Sequence, residues 1–321
     1  LSRRTESAGD LAARLRARDV AAAPAVLNLV EDGTRRDEAV ELLAALSPRA
    51  LGGEAAGHVV GVTGPPGVGK STLLGALVSE WRAAGRTVAV LAVDPSSKRS
   101  GGALLGDRIR IAGSGVGGPE RFIRSMAARE RVGGLAPATR AAAQVLAVAF
   151  DVVVVETVGV GQSETEIADL ADTVVVVVQP GAGDSLQFLK AGVMEVPDLL
   201  VVAKADVGAA AQATLSDARV SLHLLGADDT VALAVSALSP GSGIDELVAA
   251  LEDHRASLDI AARRLATRRA GALADFISEY GERGLRAVGG RREAERTLLA
   301  LDGDLDGHSL VEALAEQAGV R

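Results

Sequence analysis

The stretch Gly64-Pro65-Pro66-Gly67-Val68-Gly69-Lys70-Ser71-Thr72 constrains the fold more than any other. It matches G-x-x-x-x-G-K-[ST] and lies between a β-branched run, 58–63, and an amphipathic stretch with Leu73, Leu74, Leu77, Val78 and Trp81 at helical spacing. That placement is a mechanical requirement. Gly64, Gly67 and Gly69 let the backbone curl until its N–H groups converge on an anion, and the N-terminus of the following helix adds about half a positive charge. Lys70 then reaches the β- and γ-phosphates of a nucleotide, and the Ser71 hydroxyl can ligate Mg2+. All nine residues are candidate nucleotide contacts.

A loop of this kind needs a parallel sheet behind it, and the chain supplies one. Short apolar runs recur at 58–64 (HVVGVTG), 87–94 (TVAVLAVD), 151–157 (DVVVVET), 173–179 (TVVVVVQ), 199–206 (LLVVAKAD) and 230–237 (TVALAVSA). Strands so uniformly apolar are buried on both faces, as parallel strands covered by crossover helices are. The expected fold is therefore α/β, a doubly wound, mostly parallel sheet. Helical periodicity over 10–46, interrupted at Pro24 and Gly33, predicts a helical N-terminal element. Long helices are expected from Leu247 to Leu299, with a break at Gly289-Gly290. The expected partition is 1–50, 51–253 for the nucleotide-binding domain, and 254–321 for a helical C-terminal element.

In such sheets ligands bind beyond the carboxyl ends of the strands. Here those ends carry Thr63-Gly64, Asp94, Glu156-Thr157, Gln179-Pro180, Lys204 to Asp206, and Ser236. One rim collects nearly all the candidate chemistry. Composition removes several other classes of function. With no cysteine there are no disulfides, thiolate metal sites or cysteine nucleophiles. A net charge of −8 argues against nucleic acid as the main ligand, and 2% aromatic residues leave no platform for stacking bases. The arginine pairs 263–264 and 268–269 sit at helical spacing and read as a solvated face. No run reaches the ~18 apolar residues of a membrane span, and the Arg- and Glu-bearing first residues do not resemble a signal peptide, so a cytoplasmic protein is expected.

A phosphate loop needs carboxylates on the far side of the metal. Glu156 closes the run 151–157, the position from which an acid reaches Mg2+, usually through water. Asp94 closes 87–94, and Asp107 lies in the following SGGALLGDRIR segment. Each has a plainer alternative: Asp94 can cap the turn at Pro95-Ser96-Ser97, and Asp107 can pair with Arg108 or Arg110. Gly159 and Gly161 follow Glu156 directly, where a backbone N–H can approach a γ-phosphate and order a switch. A second glycine-rich loop, 179–190, carries Asp184, Gln187 and Lys190 on the same rim.

At the end of 199–206, Asp206 is placed to accept from the guanine N1–H and exocyclic amine, a charge-assisted pair that adenine cannot supply. Lys204 would lay its aliphatic stem over the purine face. The loop Ser236-Ala237-Leu238 offers backbone N–H groups to the guanine O6. The usual guanine-reading pattern is Asn-Lys-x-Asp, and Ala203 stands in the asparagine slot. In most GTPases that asparagine ties the base loop to the phosphate loop. A lost neutral hydrogen bond costs about 0.5–1.5 kcal/mol, up to about tenfold in affinity, so weaker binding with guanine preference kept is expected.

Together, GVTGPPGVGKSTLL, VLAVDPSSKRSGGALLGDRIRI, FIRSMAARERVGGLA, VVVVETVGVGQSE and VVQPGAGDSLQFLKAG resemble the MeaB/ArgK family of P-loop GTPases across about residues 55–250. The resemblance implies a homodimeric GTPase, with GTP or GDP and Mg2+ bound, acting as chaperone of an adenosylcobalamin-dependent acyl-CoA mutase. The implied role is to gate cofactor loading and to protect or reactivate the enzyme. Lys70 and Ser71 then serve phosphate and metal. Asp94, Asp107 and Glu156 are the metal-side acids, and Asp94, Asp107 and Lys190 are candidates for positioning the attacking water. Gly159 to Glu164 is a switch, 180–190 a loop that responds to the mutase, and the helical tail supplies dimer contacts. Ser185 and Phe188 depart from the acidic residue and glycine expected there, which admits a mutase other than methylmalonyl-CoA mutase as partner. Two alternatives remain: a small-molecule kinase, and a metallochaperone GTPase. His58, His223, His254 and His308 look scattered in sequence and show no metal-relay motif.

Overall fold

The computed structural model describes residues 6–95, 121–128, 137–157, 167–181, 197–238 and 240–320. Among the described residues seven strands form one sheet: β1 (His58–Thr63), β2 (Val88–Pro95), β3 (Arg121–Ala128), β4 (Val152–Thr157), β5 (Thr173–Val178), β6 (Leu199–Val202) and β7 (Val231–Ala234). Every pairing is parallel, in the order β3-β2-β4-β1-β5-β6-β7. The chain leaves β1 toward one edge and later crosses β1 to build β5, β6 and β7 toward the other. With right-handed crossovers, such a reversal winds helices onto both faces, as a doubly wound sheet requires.

Six strands coincide with the apolar runs of the sequence. The seventh, β3, does not, because its RFIRSMAA segment interleaves arginines with apolar residues. Among the described residues it is an edge strand paired to β2 alone, and an edge tolerates polar side chains that a central strand does not. In contrast β1, β4, β5 and β6 are buried along their whole lengths.

The described helices are α1 (Ala8–Arg16), α2 (Ala23–Glu31), α3 (Arg36–Ala45), α4 (Pro48–Leu51), α5 (Lys70–Ala83), α6 (Pro137–Ala149), α7 (Ala209–Leu224), α8 (Ile244–Ser257), α9 (Ile260–Val288), α10 (Arg291–Ala300) and α11 (Gly307–Ala318). Pro24 opens α2 within its first turn instead of breaking it, where proline's missing N–H costs nothing. Gly289, at φ 102°, ends α9 where a break was expected.

Contacts divide the chain into two compact units. One holds the sheet, residues 58–136 and 150–258. Its core sets Val60, Val62, Val154 and Val175 of the sheet against Leu73, Leu77 and Trp81 of α5 and Leu247 and Leu251 of α8.

The other unit gathers residues 1–57, 137–149 and 259–321. Phe276, Leu298, Leu310 and Leu314 form an apolar cluster within it. Here the reading of the basic pairs as a solvated face is corrected. Arg264 donates to the carbonyls of Ala55 and Gly57, each at 2.6 Å, while buried Arg268 pairs with Glu54 at 2.8 Å and donates to the Gly303 carbonyl at 2.9 Å. A planar guanidinium satisfies several acceptors at once, which is why arginine can bridge distant backbone from within a helix.

Candidate functional site

Gly64 follows β1 at φ 143°, and a Cβ there would sit 2.1 Å from the Val177 carbonyl oxygen of neighbouring β5. Only glycine fits. Gly67 and Gly69 also take positive φ, 77° and 109°, and Gly69 caps α5 without any side-chain hydrogen bond. The first N–H groups of α5 are thus left for a ligand, as an anion site requires. Lys70 begins that helix and is 7% exposed, its Nζ donating to the carbonyls of Gly64 at 2.7 Å and Pro65 at 3.0 Å. A buried ammonium is costly unless satisfied, and these carbonyls hold the charge within the loop. A phosphate is the stronger acceptor for the same protons.

A carboxylate arrives from the adjoining strand. Val62 of β1 pairs in register with Glu156 of β4, and Glu156 Oε1 accepts from Ser71 Oγ at 3.0 Å. Just beyond, Thr157 Oγ1 donates to Thr63 Oγ1 at 2.9 Å, tying the two strand ends together. A hydroxyl and a carboxylate converge beside the loop, an all-oxygen pair that suits Mg2+. Among the described residues no three His, Asp or Glu side chains gather to hold a metal.

The other end of the rim is made of side chains. Lys204 adopts left-handed backbone, φ 57° and ψ 43°, and turns its Nζ to the Gly67 carbonyl at 3.0 Å and Gln179 Oε1 at 2.8 Å. Asp206 Oδ1 accepts from Ser236 Oγ at 2.8 Å. Ser236 also exchanges backbone hydrogen bonds with Ser242, 2.9 and 3.0 Å, closing the loop that contains Ala237 and Leu238. Its N–H is therefore committed to that bridge, and its contribution to the corner is the hydroxyl. Ala203 is 5% exposed and packs in the core cluster with Val68 and Val235.

The chain has relatives among known proteins. The sequence model of the family described as "Methylmalonyl Co-A mutase-associated GTPase MeaB" matches residues 23–283. The chain belongs to the MeaB family. As a MeaB-family member it is a P-loop GTPase, which hydrolyses GTP. A "Probable GTPase" of Mycobacterium bovis is 42% identical over 255 residues, 76% of this chain and 74% of that protein. The "Methylmalonic aciduria type A homolog, mitochondrial" of Caenorhabditis elegans is 42% identical over 163 residues, covering 50% of this chain and 40% of the relative. Among solved structures, one described as LAO/AO transport system kinase aligns over 96% of each chain, with 28% identity and a TM-score of 0.63.

Within this MeaB-family chain, the structure brings together Gly64 to Thr72 with Glu156 at one end of the rim, and Lys204, Asp206 and Ser236 at the other. For Asp94 the backbone alone is described, at the end of β2 opposite Ala127. Asp107, Gly159, Lys190 and most of the loop 180–190 lie outside the described residues. Gln179 was not singled out from sequence as a partner of Lys204. The available signal was its place, first beyond β5 as Ala203 is first beyond β6. The histidines are less scattered than they look: His58 Nε2 and His254 Nδ1 both bond to Thr173 Oγ1, at 2.7 and 2.8 Å. That junction lies at the starts of β1 and β5, the end of the sheet away from the phosphate loop.

Proposed function

We propose that this MeaB-family GTPase binds GTP with Mg2+ along the rim from Gly64 to Ser236 and acts as chaperone of an adenosylcobalamin-dependent acyl-CoA mutase. The observation that carries the nucleotide reading is that a buried lysine, a hydroxyl–carboxylate pair and a guanine-compatible acid all stand at the carboxyl ends of parallel strands. Backbone N–H groups from Gly67 to Ser71 hold the phosphates, Lys70 shifts its ammonium to the β- and γ-oxygens, and Ser71 and Glu156 hold the metal side. Mg2+, when bound, neutralises charge developing on the transferred phosphoryl group. Asp94 and Asp107 complete the acid set, with Gly159 on the loop that responds to the γ-phosphate and Lys190 on the loop that responds to the mutase. Lys204, Asp206 and the loop Ser236-Ala237-Leu238 read the base.

The mutase assignment is supported by the family description and by the name of the C. elegans relative, and a cytoplasmic homodimer using the helices of 254–321 completes the reading. GTP turnover measured alone and with adenosylcobalamin mutases from the same organism tests it. Stimulation of several-fold with at least one mutase, and co-elution with it, is expected. If no mutase stimulates turnover or co-elutes, the chaperone assignment is wrong. The name of the solved relative raises kinase activity as a second reading. ATP used as well as GTP, with transfer to an amino acid acceptor, would favour it.

A further inference from the structure

We propose that Gln179 is a positioning residue of the purine site, bracing Lys204 against the phosphate loop where Ala203 leaves the asparagine slot without a polar side chain. This rests on the rim from Gly64 to Ser236 being the guanine nucleotide site.

Val178 and Val202 are the last paired residues of β5 and β6, and the Ala203 N–H donates to the Val178 carbonyl at 2.8 Å. Gln179 and Ala203 are thus the first residues beyond two adjacent strands and stand side by side. Lys204, which follows Ala203, reaches both Gln179 and the Gly67 carbonyl of the loop. Ala203 has only a methyl group, buried in the core. Gln179 carries the amide.

Lys204 shows what that amide does. Its left-handed backbone is one that an L-residue holds only when its surroundings fix it. Main-chain bonds on either side, Ala203 N–H to the Val178 carbonyl and Ala205 N–H to the Val235 carbonyl, hold that backbone, and two acceptors fix the ammonium, the Gly67 carbonyl at 3.0 Å and Gln179 Oε1 at 2.8 Å. An ammonium only donates, so the facing amide atom must be oxygen, which settles the orientation of the Gln179 side chain. With Nζ drawn to the loop, Lys204 Cε lies 3.9 Å from where a Cβ on Gly69 would stand. The methylene stem therefore runs beside the entry to α5, with an apolar flank available to a purine plane. An alanine at 203 is tolerated because the tie between base corner and phosphate loop has moved one strand over, and fixing the lysine beforehand lowers the ordering cost of binding.

A double-mutant cycle tests this, with dissociation constants for fluorescent GDP and a GTP analogue measured on full-length Gln179→Leu, Lys204→Met and the double variant. Gln179→Leu is expected to weaken both nucleotides about tenfold, the scale of a hydrogen bond to a charged group. On a Lys204→Met background it should change nothing further, because Gln179 acts through the lysine. Gln179→Glu, which keeps an acceptor, should bind as the wild type does, whereas a side chain needed only for packing would not separate leucine from glutamate. Adding Ala203→Asn to Gln179→Leu should restore most of the loss. Wild-type affinity in Gln179→Leu, or equal losses with and without Lys204, overturns the proposal. If Gln179→Leu does not fold, the Gln179→Glu and Lys204→Met variants carry the test: weakened binding in Gln179→Glu overturns it. Guanine preference in the wild type with a silent Gln179→Leu removes this inference alone. Equal binding of GTP and ATP by the wild type removes the purine site itself.

Discussion

At the phosphate end, the loop from Gly64 to Gly69 is shaped by backbone: three glycines at positive φ, one pressed against the Val177 carbonyl, and a lysine held by main-chain oxygens. At the purine end, the contacts run through side chains: Lys204 to Gln179, and Ser236 to Asp206. The phosphate end lies deep, with Lys70 and Glu156 both buried, while Lys204 and Asp206 are exposed. A site made of backbone tolerates almost no substitution, since any Cβ or altered φ moves the groups that bind. A site made of side chains can change a partner and keep its chemistry, and Ala203 beside Gln179 has the form of such an exchange.

The sharpest way to break this contrast is Gly64→Ala. A methyl there needs room that the β5 backbone occupies and a φ of 143° that L-residues rarely adopt. Overpacking and backbone strain together are expected to cost about 2–5 kcal/mol of stability, with nucleotide binding lost. Thermal unfolding and GDP titration measure both. A Gly64→Ala protein that melts and binds like the wild type would mean the loop is not held by its backbone.

The difference also explains what could be read from sequence. The phosphate loop, the acid at Glu156 and six of the strands were legible because each is local: a motif, a strand end, a β-branched run. β3 was not, since an edge strand has no need of apolar continuity. Nor was the second compact unit, because helices far apart in sequence, α1 to α4, α6 and α9 to α11, meet only through packing. Arg264 and Arg268 looked solvated for the same reason, as their acceptors, Ala55, Gly57 and Glu54, lie more than two hundred residues away. The pairing of Gln179 with Lys204 was not legible because Lys204 follows the adjacent strand β6, and strand order cannot be seen in a single sequence.

At the purine end, a smaller and different kind of effect is expected from Asp206→Ala. The carboxylate is set by the Ser236 hydroxyl and takes no part in the core, so the fold should survive. On the proposed reading of the base corner, the loss of this charge-assisted acceptor costs about 1.5–3 kcal/mol, or roughly 10–100-fold in affinity for GTP and GDP with little change for ATP. Competition between GTP and ATP reads this directly. Ser236→Ala should shift the same ratio by less, since the acid stays and only its orientation loosens. Unchanged selectivity in Asp206→Ala would place base recognition elsewhere on the rim.

The smallest expected effect is the most informative about exchange between partners. Ala203→Asn places an amide at a site 5% exposed, among Val68 and Val235. If it finds the phosphate loop, it adds one neutral hydrogen bond to a corner already braced by Gln179 and Lys204. A gain of about 0.5–1.5 kcal/mol then tightens GDP and GTP together by roughly two- to tenfold, with the guanine-to-adenine ratio unchanged because Asp206 sets it. If the amide stays unsatisfied, the burial cost of about 1–3 kcal/mol appears as a lower melting temperature with no gain in binding. Measuring affinity and melting on the same protein separates these outcomes. Tighter binding shows that the slot can still reach the loop and that alanine there is compensated; lower stability alone shows that the core has closed over it, leaving the brace to Gln179.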